Sequence, residues 1–214
     1  MSVTHAVQSY EKLLNKEYEV VIGRKGKSRV INICFDKDAC FHAMGLNHLN
    51  DLILDTTNKE LLFDSILNPD DLRYTDEFFE SSKYYKDYED RIKEFDKLES
   101  ILDNLGAKEI RLYEFYPERL HNCKIEADYY ILDARDTIIR LNVFLKKKNN
   151  MYTLKIMSMF IQKQSELKKN KGIQDYEYNQ TQYTVLQNTK ITKDNIDSLV
   201  DRVVLYTHPN YKEK

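Results

Sequence analysis

The intervals between apolar residues change along the chain, from three and four in the first half to near-alternation in the second. Intervals of three and four place side chains on one face of a helix, whereas alternation places them on one face of a strand. The exception in the first half is the pair of segments YEVVIG and RVINICF on either side of Gly26, which predicts a β-hairpin. Helices followed by strands are typical of the α+β class, which we expect for this chain.

The longest helical pattern covers residues 76–104. Its apolar residues are Phe78, Tyr85, Tyr88, Ile92, Phe95, Leu98 and Leu102. Charged residues fill the other faces and Gly106 follows the pattern, as in a surface helix that has one buried stripe and ends at a glycine. We therefore predict one long surface helix here.

We expect the sheet at residues 109–187, from five segments rich in β-branched and aromatic residues, the last of which extends to residue 189: EIRLYEF, CKIEADYYILDA, TIIRLNVFLKKK, MYTLKIMSMFIQ and QYTVLQNT. Because parallel strands need long crossover connections, the close spacing of these segments predicts antiparallel pairing. TKDNIDSLVDRVV, near the end of the chain, predicts a short C-terminal helix with Thr192 as a candidate N-cap. We expect a single α+β domain over residues 1–214, with N-terminal helices packed on an antiparallel sheet of about four to five strands.

The segment FDKDACFHAMGLNHL contains two histidines, His42 and His48, on either side of Gly45. Asp36 or Asp38 is a suitable N-cap for a helix here, and Gly45 is suited to the position after its last turn. Two imidazoles brought together by that turn could share general acid–base chemistry near neutral pH. The alternative for His42 is a half-buried side chain that bonds to a backbone carbonyl.

Composition limits the functional classes. Hydrophobic residues make up 42% of the chain and charged residues 32%, as in globular proteins. The chain has no apolar run of membrane-spanning length and no signal-peptide core, so we expect a cytoplasmic protein without membrane association. Cys34, Cys40 and Cys123 lack CxxC spacing, which predicts free thiols rather than a zinc site. The chain has five glycines and no phosphate-binding or dinucleotide motif, so we expect no cofactor.

Charge is distributed unevenly, although the formal net charge is only −2. Residues 51–103 contain 16 acidic and 7 basic residues, whereas residues 137–171 contain 9 basic residues and one acidic residue. A basic stretch of this kind can hold phosphates electrostatically. The residues that we predict to bind RNA are Arg140, Lys146, Lys147, Lys148 and Lys155. The alternative is a solvated hairpin tip followed by a flexible loop.

Alternation along the predicted strands places further polar groups on one face of the sheet. Tyr152 and Ser158 share a face with the apolar residues at alternate positions between them, and Thr184 lies on the late strand. A polar face of this kind could hold an RNA backbone and stabilise a phosphorane. These three residues therefore join His42 and His48 as candidate catalytic residues. The alternative is the ordinary solvated face of an antiparallel sheet.

A short motif, F-x5-F-H-x2-G-L-x2-L, occurs within residues 35–49. Its residues are Phe35, Phe41, His42, Gly45, Leu46 and Leu49. The motif, preceded by a helix and a β-hairpin, resembles the N-terminal part of a phage-associated Barnase–EndoU–colicin–RelE-like (BECR) nuclease family, the fourth group. The later segments ADYYIL, IIRLNVFL and SMF are similar as well, so the resemblance covers most of residues 6–190. The family pattern has leucine directly after the motif histidine, where this chain has Ala43.

This resemblance implies a metal-independent endoribonuclease that is toxin-like and associated with a phage or mobile element. In such an enzyme one histidine takes the proton from a ribose 2′-OH, a second general acid protonates the leaving 5′-oxygen, and the product is a 2′,3′-cyclic phosphate. Only His42 matches the family motif, and the other candidates come from the predicted geometry. RNA, with tRNA as one candidate, is the expected substrate, and an immunity or host-defence protein is a further candidate partner.

The alternative function is a non-catalytic, phage-encoded module that inhibits or senses a host defence protein. The same fold can present a binding surface in place of a catalytic site. The excess of carboxylates within residues 51–103 could then mimic nucleic acid toward a basic partner.

Overall fold

A computed structural model describes residues 2–55, 57–148, 152–168, 175–193 and 200–212 of the chain. The α-helices are α1 Val3–Glu11, α2 Lys37–Met44, α3 Lys59–Leu67, α4 Asp76–Glu80, α5 Tyr85–Lys93, α6 Lys97–Asp103 and α7 Gln164–Lys168. The β-strands are β1 Lys16–Arg24, β2 Lys27–Cys34, β3 Ile110–Glu114, β4 Tyr129–Asp133, β5 Ile139–Lys147, β6 Thr153–Lys163, β7 Thr181–Lys193 and β8 Val200–Thr207. Within the ranges described, none of the helices is both long and apolar enough to span a lipid bilayer.

The eight strands form one mixed sheet in the order β1-β2-β6-β5-β4-β3-β7-β8. Strand β7 also pairs with β1, from Gly23–Thr184 to Lys16–Thr192. Seven strands therefore form a closed ring of pairings, and β8 extends it by pairing with β7. Strands β2 and β6 run parallel, and the other pairs are antiparallel.

The predicted antiparallel sheet of about four to five strands is wrong, because the sheet has eight strands and is mixed. The hairpin around Gly26 is confirmed as β1 and β2. This hairpin is part of the same sheet, where β1 pairs with β7 and β2 pairs with β6. These pairings join residues as distant in sequence as Asn32 and Thr153. The local spacing of apolar residues carries no information on such long-range pairing.

The predicted long helix over residues 76–104 is wrong as well, because α4, α5 and α6 are separate helices. After α4, the Ser81 hydroxyl donates to the Phe78 carbonyl (2.7 Å), and the Ser82 hydroxyl donates to Asp51 Oδ1 (2.6 Å). Serine hydroxyls that bond locally compete with helical backbone bonds, which favours a break at this point. The apolar stripe is nevertheless buried. Its buried members are Tyr85, Ile92, Phe95, Leu98 and Leu102.

The predicted C-terminal helix is wrong at the positions that the structure describes. Thr192 and Lys193 end β7, and Val200–Val204 begin β8, while residues 194–199 lie outside the described residues. The valines of this segment have a spacing that suits a helix and β-branched side chains that suit a strand. The segment forms a strand because it pairs with β7.

At β4, packed side chains cover both faces of the sheet. Tyr129 and Ile131 belong to the core beneath the helices, whereas Tyr130 and Leu132 belong to a second cluster on the opposite face. The buried members of the second cluster are Tyr113, Phe115, Leu120, Tyr130, Leu132 and Phe144. An uninterrupted apolar run such as YYIL is typical of a strand that is buried on both faces.

A β-bulge in β6 changes which of its side chains share a face. The register with β5 shifts so that Met157 has no partner residue. Leu154 and Ile156 belong to the core beneath the helices, whereas Phe160 packs against the second cluster, and by alternation Ser158 lies on the face of Phe160. The predicted shared face along β6 is therefore wrong beyond the bulge, because one extra residue reverses the alternation.

Candidate active site

Helix α2 begins and ends where its sequence predicts. The Asp36 side chain accepts a hydrogen bond from the Ala39 backbone N–H (3.0 Å), which caps the first turn. Gly45 follows the last turn with a φ of 83°, and its N–H donates to the carbonyls of Phe41 and His42. Phe41 is buried in the core, so His42, about 100° further round the helix, lies half-buried at its edge.

Two side chains of α5 lie directly against Gly45. A Cβ atom added to Gly45 would lie 2.4 Å from Tyr88 Cδ1 and 2.8 Å from Arg91 Nη1. Glycine is therefore needed here twice, for its positive φ and for the close approach of α5. This contact brings Arg91 to the C-terminal end of α2. His42 lies in the last turn of this helix, and His48 follows shortly after Gly45.

The imidazole of His42 contacts the side chain of Lys59. Its Nε2 lies 2.8 Å from Nζ of Lys59, in the first turn of α3. An ammonium group can only donate, so Nε2 accepts and the ring is neutral with its proton on Nδ1. Burial lowers the pKa of His42, and the charge of Lys59 lowers it further. The carboxylate of Asp38 raises the pKa of His42 in opposition, and the charges of Lys155 and His48 lower it.

His48 lies beyond Gly45 at the protein surface. Its ring stacks on that of Tyr88, with centroids 5.3 Å apart and planes 4° from parallel. Burial of one ring face and the charge of Arg91 lower the pKa of His48 below its usual range. The pKa of each histidine is therefore lowered by burial and by a neighbouring cation, Lys59 for His42 and Arg91 for His48, which favours the neutral imidazoles at pH 7.

Arg91 is a guanidinium without an acidic partner. It lies 4.2 Å from the ring centroid of Phe160 and 5.3 Å from that of Tyr88. Among the described side chains, no carboxylate lies within ion-pair distance of it. Burial lowers the pKa of Arg91 to about 10, so the group is still charged at pH 7. A desolvated cation that lacks a protein counter-ion is suited to an anionic ligand.

Strand β6 supplies the remaining polar groups. Lys155 lies close enough to His42 to lower its pKa, and Ser158 lies on the same face as Phe160, which contacts Arg91. We refer to this arrangement as the histidine site. It consists of His42, His48, Lys59, Arg91, Lys155 and Ser158.

Two of the five candidate catalytic residues lie elsewhere. Tyr152 immediately precedes β6 and is 55% exposed, and its carbonyl accepts from the Asn32 N–H (2.7 Å). Thr184 lies on β7 opposite Gly23, near the β1–β2 turn. Ser158 lies on the strand face of Phe160, whose ring contacts Arg91, whereas Thr184 lies at the opposite end of the β1–β2 hairpin from α2.

Most of the predicted RNA-binding residues have carboxylate partners. These pairs are Arg140–Glu177 (2.8 Å), Lys146–Glu126 (2.8 Å), Lys147–Asp128 (3.5 Å) and Lys148–Asp36 (3.4 Å). Lys155 forms no ion pair with a described carboxylate and belongs to the histidine site. The basic stretch of residues 137–171 is thus largely neutralised where the structure describes it.

The carboxylate of Glu177 binds three side chains of the sheet. Glu177 accepts hydrogen bonds from Arg111 (2.6 Å), the Tyr113 hydroxyl (2.5 Å) and Arg140 (2.8 Å). Tyr176, the preceding residue, packs against the second cluster. This segment therefore covers the part of the face around Tyr113 and Phe144.

Sequence reasoning missed Lys59 and Arg91, which lie 17 and 49 positions after His42. A weak signal for Arg91 is its place three residues after Tyr88, which puts the two side chains next to each other on a helix. No local pattern distinguishes Lys59 from other lysines in a helical first turn. Within the described ranges, no group of three His, Cys, Asp or Glu side chains is arranged to hold a metal ion.

Comparison with known families agrees with the motif in α2. Residues 3–204 match the family model described as phage-Barnase-EndoU-ColicinE5/D-RelE like nuclease 4. Because this match covers most of the chain, the protein belongs to that nuclease family, and the resemblance at residues 35–49 is confirmed. No curated protein and no solved structure matched the chain.

Proposed function

We propose that this member of the nuclease family is a metal-independent endoribonuclease, toxin-like and associated with a phage or mobile element, that cleaves RNA in the cytoplasm. The observation that carries the proposal is the position of the motif residue His42, whose Nε2 lies 2.8 Å from Lys59 Nζ, in a helix whose C-terminal Gly45 lies against Arg91. A neutral imidazole beside a lysine ammonium group is suited to taking a proton beside a phosphodiester.

In the proposed reaction His42 Nε2 takes the proton of a ribose 2′-OH while the 2′-oxygen forms a bond to the adjacent phosphorus. The bond between that phosphorus and the 5′-oxygen of the next nucleotide breaks, and His48 donates a proton to this oxygen. The products are a 2′,3′-cyclic phosphate and a 5′-hydroxyl. The charge of the bound phosphate raises the pKa of His48, which offsets the effects of burial and of Arg91, and His48 takes up a proton from solvent before the step.

Three cations stabilise the phosphorane in this proposal. Arg91 and Lys155 have no described carboxylate partner. Lys59 exchanges its hydrogen bond with His42 for one with a phosphate oxygen, which leaves Nε2 of His42 free to accept the proton. Ser158 donates its hydroxyl to a second phosphate oxygen. Tyr152 and Thr184 take no part in the step.

The test is cleavage of total cellular RNA in EDTA by the wild-type protein and by His42→Ala, followed by analysis of the 3′ ends of the products. We expect 2′,3′-cyclic phosphate ends, and a loss of roughly a hundredfold or more in the variant. His5→Ala, which replaces an exposed histidine of α1, is the matched control and should cleave like the wild type.

Two results would contradict this mechanism: a requirement for a divalent metal, or cleavage by His42→Ala at the wild-type rate. Absence of any cleavage by the wild type would favour the alternative of a non-catalytic module that binds a host defence protein.

A further inference from the structure

A basic groove lies at the turn between β1 and β2, away from the histidine site. Its volume is about 640 Å³. We call it the hairpin cleft. Its lining comprises residues 23–28, Thr184, Leu186, His208 and residues 210–212. A second groove of about 430 Å³, which includes Arg29 and Tyr183, lies on the other side of the same turn.

The turn itself has a defined conformation. Arg24 pairs with Lys27, and the two central residues, Lys25 and Gly26, have positive φ values of 49° and 75°. Two central residues with positive φ define the tight turn that matches the twist of a hairpin. The turn therefore holds three basic side chains at fixed positions along the rim of the cleft.

These three cations are available to a ligand. Arg24, Lys25 and Lys27 are exposed. None of them forms an ion pair with a described carboxylate, unlike the lysines of residues 146–148. The described lining adds Lys212 and contains no acidic residue. A groove whose charged side chains are all basic attracts a chain of negative charges.

The cleft also offers a ring and polar groups. Tyr211 lines it, and its backbone N–H donates to the His208 carbonyl (2.9 Å), which orders this part of the wall. Asn210 and Thr184 add uncharged hydrogen-bonding groups. Cations beside an exposed aromatic ring are the usual elements of a single-strand binding groove, where phosphates follow the cations and a base stacks on the ring.

The position of the cleft separates it from the reaction. Strand β2 runs from the turn at Lys27 to Cys34, shortly before α2. At about 3.3 Å per residue, these ends lie roughly 23 Å apart. The cleft therefore cannot contact the nucleotide that reacts at His42, but it can hold a more distant part of the same strand.

We propose that the hairpin cleft binds the phosphate backbone of single-stranded RNA, through Arg24, Lys25 and Lys27, with one base stacked on Tyr211. The choice of RNA rests on the proposed function. The cleft thereby favours substrates that extend well beyond the cleaved bond over short oligonucleotides.

The test is binding of a fluorescein-labelled oligouridine to the His42→Ala protein, measured by anisotropy over a range of salt concentrations. In single strands each phosphate contact contributes about −0.7 to the slope of log K against log[salt]. We expect the triple variant Arg24→Gln/Lys25→Gln/Lys27→Gln to bind more weakly and to lose roughly 2 from that slope. Thermal unfolding by circular dichroism confirms that each variant is folded.

A matched control removes the same charge elsewhere. Lys12, Lys83 and Lys124 are exposed and have no described ion pair. The triple variant Lys12→Gln/Lys83→Gln/Lys124→Gln should keep the slope. Equal losses in the two triple variants would overturn the proposal, because they would reflect net charge and not the cleft.

Tyr211 provides an independent measurement. Tyr211→Ala should weaken binding by about tenfold without a change in the salt slope, as expected for the loss of one stacked base. Tyr211→Phe should retain wild-type affinity. Wild-type affinity in Tyr211→Ala would contradict the stacked base.

The same experiment distinguishes this proposal from the catalytic one. Binding that depends on the hairpin, together with no cleavage of RNA by the wild-type protein, would support the cleft and reject the endoribonuclease. Binding of polyglutamate in preference to oligouridine would overturn the cleft as an RNA site and indicate an acidic protein partner.

Discussion

Lys59 donates to the ring nitrogen of His42 that a substrate hydroxyl would use. Burial and this neighbouring charge lower the pKa of His42, so the imidazole stays neutral below its ordinary titration range. A general base acts in its neutral form, and the acid limb of the activity profile reports its pKa. We therefore expect cleavage to persist on acidification past about pH 6.5, the ordinary pKa of histidine.

Lys59→Met should raise the pKa of His42, because it removes a positive charge that disfavours the imidazolium. The pKa should not return fully to its ordinary value, since burial is the larger cause of the shift. The measurement is an NMR titration of the histidine ring protons, with His42 assigned through His42→Gln. Lys12→Met, at an exposed lysine of the same chain, is the control. An unchanged or lower pKa in Lys59→Met would mean that the contact does not persist in solution.

Arg91→Met should lower the cleavage activity strongly and change the stability only slightly. Arg91 has aromatic contacts but no described carboxylate, so its removal should change the free energy of unfolding by less than about 1 kcal/mol. The same substitution should lower kcat/KM for RNA by about a hundredfold, because it removes a cation from the developing charge. Urea unfolding and initial cleavage rates measure the two effects.

Lys93→Met is the control for activity, since Lys93 lies on the same helix and pairs with Glu89 at the surface. Loss of stability together with unchanged cleavage in Arg91→Met would assign Arg91 a structural role.

At the level of elements, the end of α2 depends on one glycine. Gly45→Ala imposes a positive φ on alanine and places its Cβ 2.4 Å from the Tyr88 ring. We expect a loss of about 2–4 kcal/mol, the sum of the backbone cost and of overpacking. Gly26→Ala is the matched control, because Gly26 also has a positive φ but has no neighbour within 4 Å of an added Cβ. Its cost should be only about 1 kcal/mol.

Urea unfolding of both variants gives the comparison. Equal destabilisation by Gly45→Ala and Gly26→Ala would show that the packing of α5 on α2 contributes nothing beyond the backbone conformation.

The local elements were predictable where a short-range signal specifies them. Asp36 and Gly45 mark the ends of α2, and Gly26 marks the β1–β2 turn, because capping and positive φ are properties of single residues. The break between α4 and α5 was not predictable, since the Ser82 hydroxyl donates to Asp51, 31 positions earlier in the chain. The bulge at Met157 was missed for the same reason, because it depends on the register with β5.

At the level of the whole molecule, Glu177 ties the segment before β7 to β3 and β5. Glu177→Gln should lower the free energy of unfolding by about 1–2 kcal/mol, since Arg111 and Arg140 lose a charged acceptor in a half-buried setting. Glu126→Gln is the control, because Glu126 pairs with Lys146 but is 81% exposed, and it should cause no measurable change. Chemical denaturation at low and high salt measures both variants, and an equal effect of the two would contradict the role of Glu177.

Membership of the nuclease family could be inferred from the chain alone, because it rests on a short motif whose residues, His42 among them, are neighbours in sequence. The surroundings of His42 could not. Lys59, Arg91 and Lys155 come from α3, α5 and β6, and the ring of strands closes only when β7 pairs with β1. Such long-range contacts also determine which cations lack a carboxylate partner. The spacing of residues along one segment specifies its local conformation and buried face, but not the segments that pack against it.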